Sequence, residues 1–367
     1  MPFVPTTTRY PGTQKFTSRE LPRLRRRVTP PFHSRSAVVS DLKTLPWPFP
    51  DEDRTFRYGV NVQPAPRLTT TLAGEWGEHV VDLGDDYLYM MQLRRDILDR
   101  DPGRAQMLPH MMPACWDVML FLMRQLAASY PASMLLEGKG NHYRWTNRLL
   151  GIEQSFTLGD LFTLPEDPLT FIGCQVPDDI LLLTERDDQL WFDAALVTSS
   201  ADWSVKFDIG MSFDEIHVPV PGLTAGGVTG RAQSFMRMLT TDQIYRRVNW
   251  TFSAVGSRLR DTSLETMPQW MHDMPELISQ KDWGRIQLRI ELEHLIRLPL
   301  TGALVFNIRT YLAPLSDIAA IPQWAEQLAA IVTELPQEIA EYKGIDGYRV
   351  EAMKWLRAQS EVLAATG

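Results

Sequence analysis

The sequence predicts an α+β fold, with an antiparallel sheet and a helical crossover flanked by N-terminal helices and a C-terminal helical tail. Short apolar runs with period-two alternation occur between residues 180 and 312, and such runs predict strands. Apolar residues at three- and four-residue spacing precede and follow that stretch, and they predict helices. With 367 residues, 44% of them hydrophobic, the chain can bury a sizeable core without disulfides.

The N-terminal part divides into an arm and a helical region. Residues 1–55 are rich in proline, including the run at 46–50, and we expect them to form an extended arm on the surface. Residues 56–165 are predicted to be mainly helical, because the segments 84–100 and 113–130 have helical apolar spacing.

The predicted sheet follows, in an order that indicates a known topology. The strand predictions are 180–184, 190–197, 246–255, 285–296 and 301–312. Residues 203–243 between the second and third strands predict turns and helix. Two strands, a helical crossover and three strands is the order of a PAS domain, so residues 166–315 are predicted to form a PAS-like core. Residues 316–367 return to helical spacing and predict the helical tail.

Charge and cysteine content exclude several classes of function. The net charge of −8 argues against nucleic acid as a partner, because phosphate binding requires clustered Lys and Arg. One basic run, residues 23–27, lies in the proline-rich arm and is interpreted as a solvated arm or a subunit clamp. Cys115 and Cys174 form no Cys-x-x-Cys pair, so a disulfide scaffold and a self-contained iron–sulfur cluster are unsupported. Without an apolar stretch of membrane-spanning length or a signal-peptide pattern, we expect a cytoplasmic protein.

His217 lies in the stretch Ile216-His217-Val218-Pro219-Val220-Pro221. Each proline fixes its own φ and favours an extended backbone in the residue before it, so this segment is expected to be stiff. A neutral imidazole held in this way is a possible axial ligand to haem iron. A structural role is the alternative for one histidine beside prolines.

Several ordered motifs resemble those of one enzyme family. They are residues 216–221, Arg247-Val248-Asn249-Trp250, Leu288-Arg289-Ile290-Glu291-Leu292, Arg297-Leu298-Pro299, Gly302-Ala303-Leu304-Val305-Phe306 and Ile308-Arg309-Thr310-Tyr311-Leu312. Together they resemble the α-subunit family of haem-dependent oxidative N-demethylases, also called dimethylamine monooxygenases. The resemblance covers roughly residues 55–320, is strongest from 203 to 315, and excludes the first fifty or so residues and the C-terminal tail. It implies a PAS-like fold that carries haem b as an enzyme, with His217 as the iron ligand.

Strand parity and the family pattern together select residues around the haem. Arg247 and Asn249 share one face of the strand 246–255, and Val248 and Trp250 share the other. The pattern Arg-x-Asn-Trp implies that Arg247 faces dioxygen, where a guanidinium would stabilise developing negative charge. Asn249 and Trp250 are expected to contact the cofactor. The alternative is a surface ion pair, which suits Arg246 better, since adjacent arginines cannot both face the pocket.

Glu291 is the candidate for binding the amine. A secondary amine is protonated near neutral pH, so its pocket needs a negative or hydrogen-bond-accepting wall. A carboxylate is the natural choice, and aromatic rings add cation–π attraction. The ring candidates are Tyr245, Trp250 and Tyr311. A pair with Arg289 or Arg309 is the alternative role of Glu291. The haem propionates need cationic partners, for which Lys206, Arg231 and Arg309 are available.

The expected function is oxidation of dimethylamine, or a close secondary amine, to methylamine and formaldehyde. No flavin, nicotinamide or iron–sulfur motif is recognisable in this chain, so electrons must come from another polypeptide. The resemblance implies a reductase subunit with FMN, a 2Fe-2S cluster and NADPH, and possibly a tetrahydrofolate-binding subunit. Two alternatives remain: a haem-binding gas or redox sensor, and a structural subunit without cofactor. A Soret band would be present for the enzyme and for the sensor, and absent for a structural subunit without cofactor.

Overall fold

A computed structural model describes residues 41–366, apart from residues 51–52, 58–60 and 255–259. Most of the predicted arm lies outside the described residues. The strands are β1 (Gln63–Ala65), β2 (Thr69–Thr70), β3 (Glu75–Trp76), β4 (Ala105–Met107), β5 (Met134–Lys139), β6 (His142–Asn147), β7 (Ile152–Thr157), β8 (Asp179–Arg186), β9 (Gln189–Leu196), β10 (Ile244–Ser253), β11 (Gln287–Arg297) and β12 (Leu304–Pro314). The α-helices are α1 (Tyr87–Arg100), α2 (Met112–Ser129), α3 (Pro168–Gly173), α4 (Val205–Asp208), α5 (Phe213–His217), α6 (Val228–Arg237), α7 (Met267–Trp270), α8 (Asp273–Gln280), α9 (Leu315–Ile318), α10 (Pro322–Thr333), α11 (Gln337–Tyr342) and α12 (Arg349–Thr366).

The five strands that the sequence predicted are confirmed and lie in one sheet. Its order is β1-β10-β11-β12-β8-β9-β4, and every neighbouring pair is antiparallel. The turn between β8 and β9 contains Asp187 and Asp188, with φ of 51° and 60°. Positive φ at two successive residues is the conformation of a two-residue hairpin turn, so β8 and β9 form a β-hairpin. An α+β fold with an antiparallel sheet is therefore confirmed.

The two faces of the sheet have different coverings. One, which we call the crossover face, carries Tyr245, Arg247, Glu291, Glu293 and Leu295; Leu295 packs with Phe213 of α5 and Met236 of α6. The opposite one, the helix face, carries Arg246, Trp250, Ile290, His294 and Arg309, paired by the same register. There Trp250 and Ile290 pack with Trp324 and Leu328 of α10. Farther along, Ile296 and Val305 pack with residues of α1 and α2. Residues on β10–β12 are thus assigned to one of two separate environments by parity alone.

Residues 134–157 form a structure that the sequence did not predict. They make the three-stranded antiparallel sheet β5-β6-β7, within the region expected to be mainly helical. Met134, Trp145 and Phe156 are buried and belong to the same apolar cluster as α2. Most other side chains of these strands are partly or fully exposed, so their sequence has little of the apolar alternation that identifies a strand.

The helices on both sides of the sheet match their predictions closely. α1 falls within the predicted segment 84–100, and α2 differs by one residue at each end from the predicted 113–130. α10 and α12 correspond to the predicted tail helices. In the described part of the chain, no helix is both long enough and apolar enough to cross a membrane.

The described end of the predicted arm packs inward. Leu45 and Trp47 are buried, and the Trp47 ring stacks on Trp324 of α10 with centroids 4.3 Å apart. Trp47 Nε1 donates to Gln327 Oε1 at 2.7 Å. The Trp47 contact therefore ties residues before the sheet to the C-terminal helices.

We expect Trp47→Ala to lower the free energy of unfolding by about 3–5 kcal/mol, because it removes a buried indole and leaves a cavity. Phe162→Ala is the control, since the Phe162 side chain is 99% exposed and its loss should change stability by less than about 0.5 kcal/mol. Denaturant unfolding of the two variants measures the difference. Equal midpoints would show that the arm contributes nothing to the core.

Candidate functional site

His217 is the last residue of α5, in the crossover between β9 and β10. The helix begins with a capping box. Glu215 N donates to Ser212 Oγ at 3.3 Å, and Ser212 N donates to Glu215 Oε2 at 2.8 Å. This reciprocal pair satisfies amides that would otherwise lack partners, so even a five-residue helix has a defined start.

The expectation of an extended backbone around His217 is wrong. His217 is helical, and Val218, which precedes Pro219, has φ −52° and ψ −40°. A following proline disfavours helical backbone without forbidding it. Here the Val218 amide donates to the Glu215 carbonyl at 3.3 Å and completes the turn. The prolines end the helix, and the helix holds the imidazole.

The hydrogen bonding of His217 defines its tautomer. His217 Nδ1 lies 2.7 Å from the Phe213 carbonyl oxygen, which can only accept, so Nδ1 carries the proton. Burial lowers the pKa of His217, the bond to Phe213 opposes this, and the nearby charge of Arg247 lowers the pKa further. The imidazole is therefore neutral near pH 7 and keeps a lone pair on Nε2, for which the described residues supply no hydrogen-bond partner. A neutral imidazole with a fixed Nδ1 proton is the usual form of a histidine metal ligand.

A row of polar side chains lies on the crossover face. Arg247 Nη1 donates to Glu293 Oε2 at 3.0 Å, and Asn249 Nδ2 donates to Glu291 Oε2 at 3.2 Å. Both pairs are directly opposite in the register of β10 and β11. Arg247 and Asn249 share a face, as parity predicted, and Glu291 faces the same side. Glu293 was not among the residues selected from the sequence, although its parity with Glu291 was sufficient to find it.

Glu291 also pairs with Arg289, the first of the two alternative partners, Arg289 and Arg309, that the sequence offered. Arg289 Nε donates to Glu291 Oε1 at 2.9 Å, and Arg289 is itself fully buried, donating to the Arg260 carbonyl at 2.8 Å. The Glu291 side chain remains 16% exposed, whereas that of Glu293 is 7% exposed. Burial raises the pKa of Glu293, and Arg247 opposes this. Glu291 is thus the more accessible carboxylate of the row.

The adjacent Arg246 is not a surface residue, and the ion pair suggested for it is wrong. Arg246 is fully buried on the helix face, where its guanidinium stacks 4.0 Å from the Trp76 ring centroid. It donates to the Gly77 carbonyl at 3.1 Å and to Thr69 Oγ1 at 2.7 Å. Parity did place it opposite Arg247. The loop that covers it comes from more than 160 residues earlier in the chain, so sequence could not reveal its burial.

Three other selected residues lie on the helix face, away from His217. Trp250 and Tyr311 are buried in the cluster formed with α10–α12. Arg309 Nη2 donates to Asp86 Oδ1 at 2.7 Å, so it cannot be the partner of Glu291. The structure does not bring these three side chains together with Arg247 and Glu291.

The remaining selected residues lie at the margins of the crossover. Lys206 on α4 pairs with Asp101 at 2.6 Å, and α4 packs beside β4, at the edge of the sheet far from β10. Tyr245 is on the crossover face, with its ring 5.2 Å from that of Phe235 and its hydroxyl 3.0 Å from Gln243 Oε1. Arg231 on α6 donates to the Gly226 carbonyl at 3.1 Å.

Lys343 is a further residue that the sequence analysis did not select. It follows α11, and its Nζ donates to the Trp250 carbonyl at 2.7 Å and lies 4.7 Å from the Trp250 ring centroid. Burial lowers the pKa of Lys343 to about 8, although the charge of Glu291 raises it. The C-terminal helices therefore bring a cation to the edge of β10, near Glu291.

These residues fit a haem with one protein ligand. Haem iron needs a donor such as a neutral imidazole, and Nε2 of His217 would have the chemistry for this role. Arg247 Nε is buried and has no hydrogen-bond partner among the described residues, so this guanidinium can donate further. No group of three or more His, Cys, Asp or Glu with metal-ligating geometry occurs in the described part of the chain. A neutral imidazole, a guanidinium with a donor left free by the described residues and a carboxylate are groups that would suit a haem site.

Comparison with protein-family models agrees with this chemistry. The family described as haem-dependent oxidative N-demethylase, alpha subunit-like, matches residues 71–353. The match includes α10 and α11, so the C-terminal helices, which the resemblance had excluded, are part of the family's common structure. Membership implies dependence on haem and a place in a multi-subunit enzyme. Because the match covers well over half of the chain, this protein belongs to the haem-dependent oxidative N-demethylase alpha subunit-like family.

Proposed function

We propose that this chain is the haem-bearing catalytic subunit of an oxidative N-demethylase acting on dimethylamine or a close secondary amine. The observation that carries the proposal is the neutral His217, with an available Nε2, in the crossover that covers the face bearing Arg247 and Glu291. The balanced reaction is (CH3)2NH + O2 + 2 e− + 2 H+ → CH3NH2 + HCHO + H2O. When bound, haem would supply the activation of dioxygen.

The fold supports the same assignment. We propose that residues 166–315 form a PAS-like core, since the strand order β9-β8-β12-β11-β10 places the first hairpin beside the last strand. The crossover helices α4–α6 then connect the two outer strands of that set. His217 would be the axial ligand contributed by the crossover, and Asn249 would contact the cofactor from the sheet.

Each polar residue of the crossover face has a role in this proposal. Arg247 would stabilise negative charge developing on dioxygen, and its pair with Glu293 fixes the position of its guanidinium. Glu291 would receive the ammonium form of the substrate. Both of its oxygens already accept one hydrogen bond, but a carboxylate oxygen has a second lone pair, so a third donor can bind. Tyr245 is the aromatic candidate that lies on the same face.

The electrons would come from a partner polypeptide carrying FMN, a 2Fe-2S cluster and an NADPH site, because no such motif is recognisable here. A tetrahydrofolate-binding subunit that captures formaldehyde would complete the assembly. The multi-subunit character of the family supports both proposals.

Purified protein tests the proposed function in two steps. Its absorbance spectrum should contain a Soret band, and aerobic turnover with a supplied reductase should release formaldehyde from dimethylamine, one molecule per NADPH consumed. Trimethylamine and methylamine are the comparison substrates. A Soret band without formaldehyde from any methylated amine would identify a haem sensor.

We expect Glu291→Gln to raise the KM for dimethylamine strongly and to leave haem content unchanged. The variant keeps the shape of the side chain and removes the charge that offsets desolvation of the substrate ammonium. Initial rates over a range of amine concentrations measure the effect. Glu166→Gln is the matched control, since Glu166 is also paired with an arginine, Arg95, but lies outside the crossover face. An unchanged KM would assign Glu291 only the structural pair with Arg289.

A further inference from the structure

A second group of polar side chains lies on the helix face, on the other side of the sheet from His217. We call Asp178, His294, Asn307 and Arg309 the His294 cluster. His294 and Asn307 are directly opposite each other in the register of β11 and β12, and Arg309 is two residues farther along the same face. Asp178 precedes β8, whose first residue pairs with Ile308, so Asp178 lies next to Arg309. All four side chains are at most 2% exposed.

Eight polar atoms of the His294 cluster have no hydrogen-bond partner among the described residues. They are both carboxylate oxygens of Asp178, both ring nitrogens of His294, both amide atoms of Asn307, and Nε and Nη1 of Arg309. Buried polar atoms in native proteins are almost always hydrogen-bonded to protein or to ordered water. Leaving eight of them without partners would cost more than a marginally stable domain can offset.

The four side chains do not satisfy one another. The charges of Asp178 and Arg309 act on each other, yet the two groups form no ion pair in the described structure. His294 and Asn307 face each other across adjacent strands and make no hydrogen bond. The four side chains are therefore neighbours that make no direct hydrogen bond to one another, and a molecule bridging them would supply the missing bonds.

Contacts around the cluster fix this arrangement. Arg309 Nη2 is held by Asp86 at 2.7 Å, and the Tyr311 hydroxyl donates to Asp82 Oδ2 at 2.8 Å. These two bonds tie residues 82–86 to β12 beside the cluster. The Arg309 guanidinium is thus already committed to an ion pair with Asp86.

We propose that the His294 cluster is a buried binding site for a small group of ordered water molecules. The unpartnered atoms include donors on Arg309 and Asn307 and acceptors on Asp178 and Asn307. The two ring nitrogens of His294 add one donor and one acceptor, because its imidazole is neutral: burial lowers the pKa of His294 to about 3. Water both donates and accepts hydrogen bonds, so it can satisfy a set of atoms that contains donors and acceptors. Arg309 disfavours a cation, and its charge is already balanced by Asp86 at 2.7 Å, so the site does not require an anion. At about three hydrogen bonds per buried water, eight atoms correspond to about three molecules.

The sign of a stability change tests the proposal. Asn307→Leu replaces the amide with an apolar group of similar size. If water bonds the amide, the variant removes those bonds and leaves the water short of partners, so Tm should fall by about 2 °C or more. If the amide is truly without partners, its removal relieves a penalty and Tm should rise, which would overturn the proposal. Asn147→Leu calibrates the assay, since Asn147 is equally buried and its amide donates to the Tyr87 hydroxyl at 3.0 Å.

A crystal structure of the unaltered protein gives a readout that does not depend on how the variants fold. We expect ordered solvent density within hydrogen-bonding distance of Asp178 and Asn307. Direct bonds among the four side chains with no density between them would contradict the proposal. Density for an organic molecule larger than water would also contradict it. Neither experiment involves haem or amine, so its result is independent of the proposed function.

Discussion

His217→Ala is expected to abolish stoichiometric haem binding, or to change the ferrous spectrum grossly. In the proposed site the His217 imidazole would be the iron ligand, held by α5 with its Nδ1 proton committed to the Phe213 carbonyl. Alanine removes the donor and leaves α5 intact, because the capping box at Ser212 and Glu215 does not involve His217. Haem content from a pyridine haemochrome assay and the ferrous–CO spectrum measure the result.

The control and the alternatives for this variant follow from the other histidines and cysteines. His142→Ala is the control, since His142 is exposed on β6 and its Nδ1 lies 3.0 Å from Thr157 Oγ1. Full haem content with an unchanged spectrum in His217→Ala would move the ligand elsewhere. Cys174 and His294 would be next. However, burial raises the pKa of Cys174 to about 11, so its thiol is protonated, and His294 is enclosed on the helix face.

Arg247→Ala is expected to slow oxygen-dependent turnover by about 10²–10³, the effect of losing one donor that stabilises developing charge. Haem content should remain nearly intact, because Arg247 approaches from the sheet and His217 from the crossover. The loss should appear in kcat, with the KM for the amine much less affected, since amine binding is assigned to Glu291. Steady-state kinetics at saturating oxygen measure both constants.

Arg247→Ala needs a control at an arginine outside the crossover-face row of polar residues. Arg246→Ala is unsuitable, because Arg246 is buried against Trp76 and its loss would destabilise the fold. Arg237→Ala replaces it, since Arg237 lies on α6 and pairs with Glu185 at the surface. The double variant Arg247→Ala/Glu293→Gln also removes the charge of Glu293, so that no buried carboxylate is left without its partner. Turnover within a factor of about two of the unaltered enzyme in that double variant would reduce Arg247 to a partner of Glu293.

Period-two alternation in the sequence determined which side chains of a strand lie on the same face. Period-two alternation placed Arg247 and Asn249 on one face of β10 and Trp250 on the other, and the structure has the same assignment. Parity succeeded because successive side chains of any strand point to opposite faces, whatever the strand packs against. It could not say which face the crossover covers, so Trp250, Tyr311 and Arg309 were selected together with residues from the opposite side of the sheet.

The sequence by itself determined the α+β class, the five strands of the core, the side on which each of their residues lies, and the family. The tertiary structure decided the partner of each polar group. Arg246 is enclosed by a loop near Gly77, Arg309 is paired with Asp86, and Lys343 reaches the edge of β10. The partners in these contacts are 93 to 223 residues apart in the chain. Alternation and capping act over two to four residues and can be recognised in a sequence. Contacts over such separations depend on how the whole chain packs, so they appear only in the folded protein.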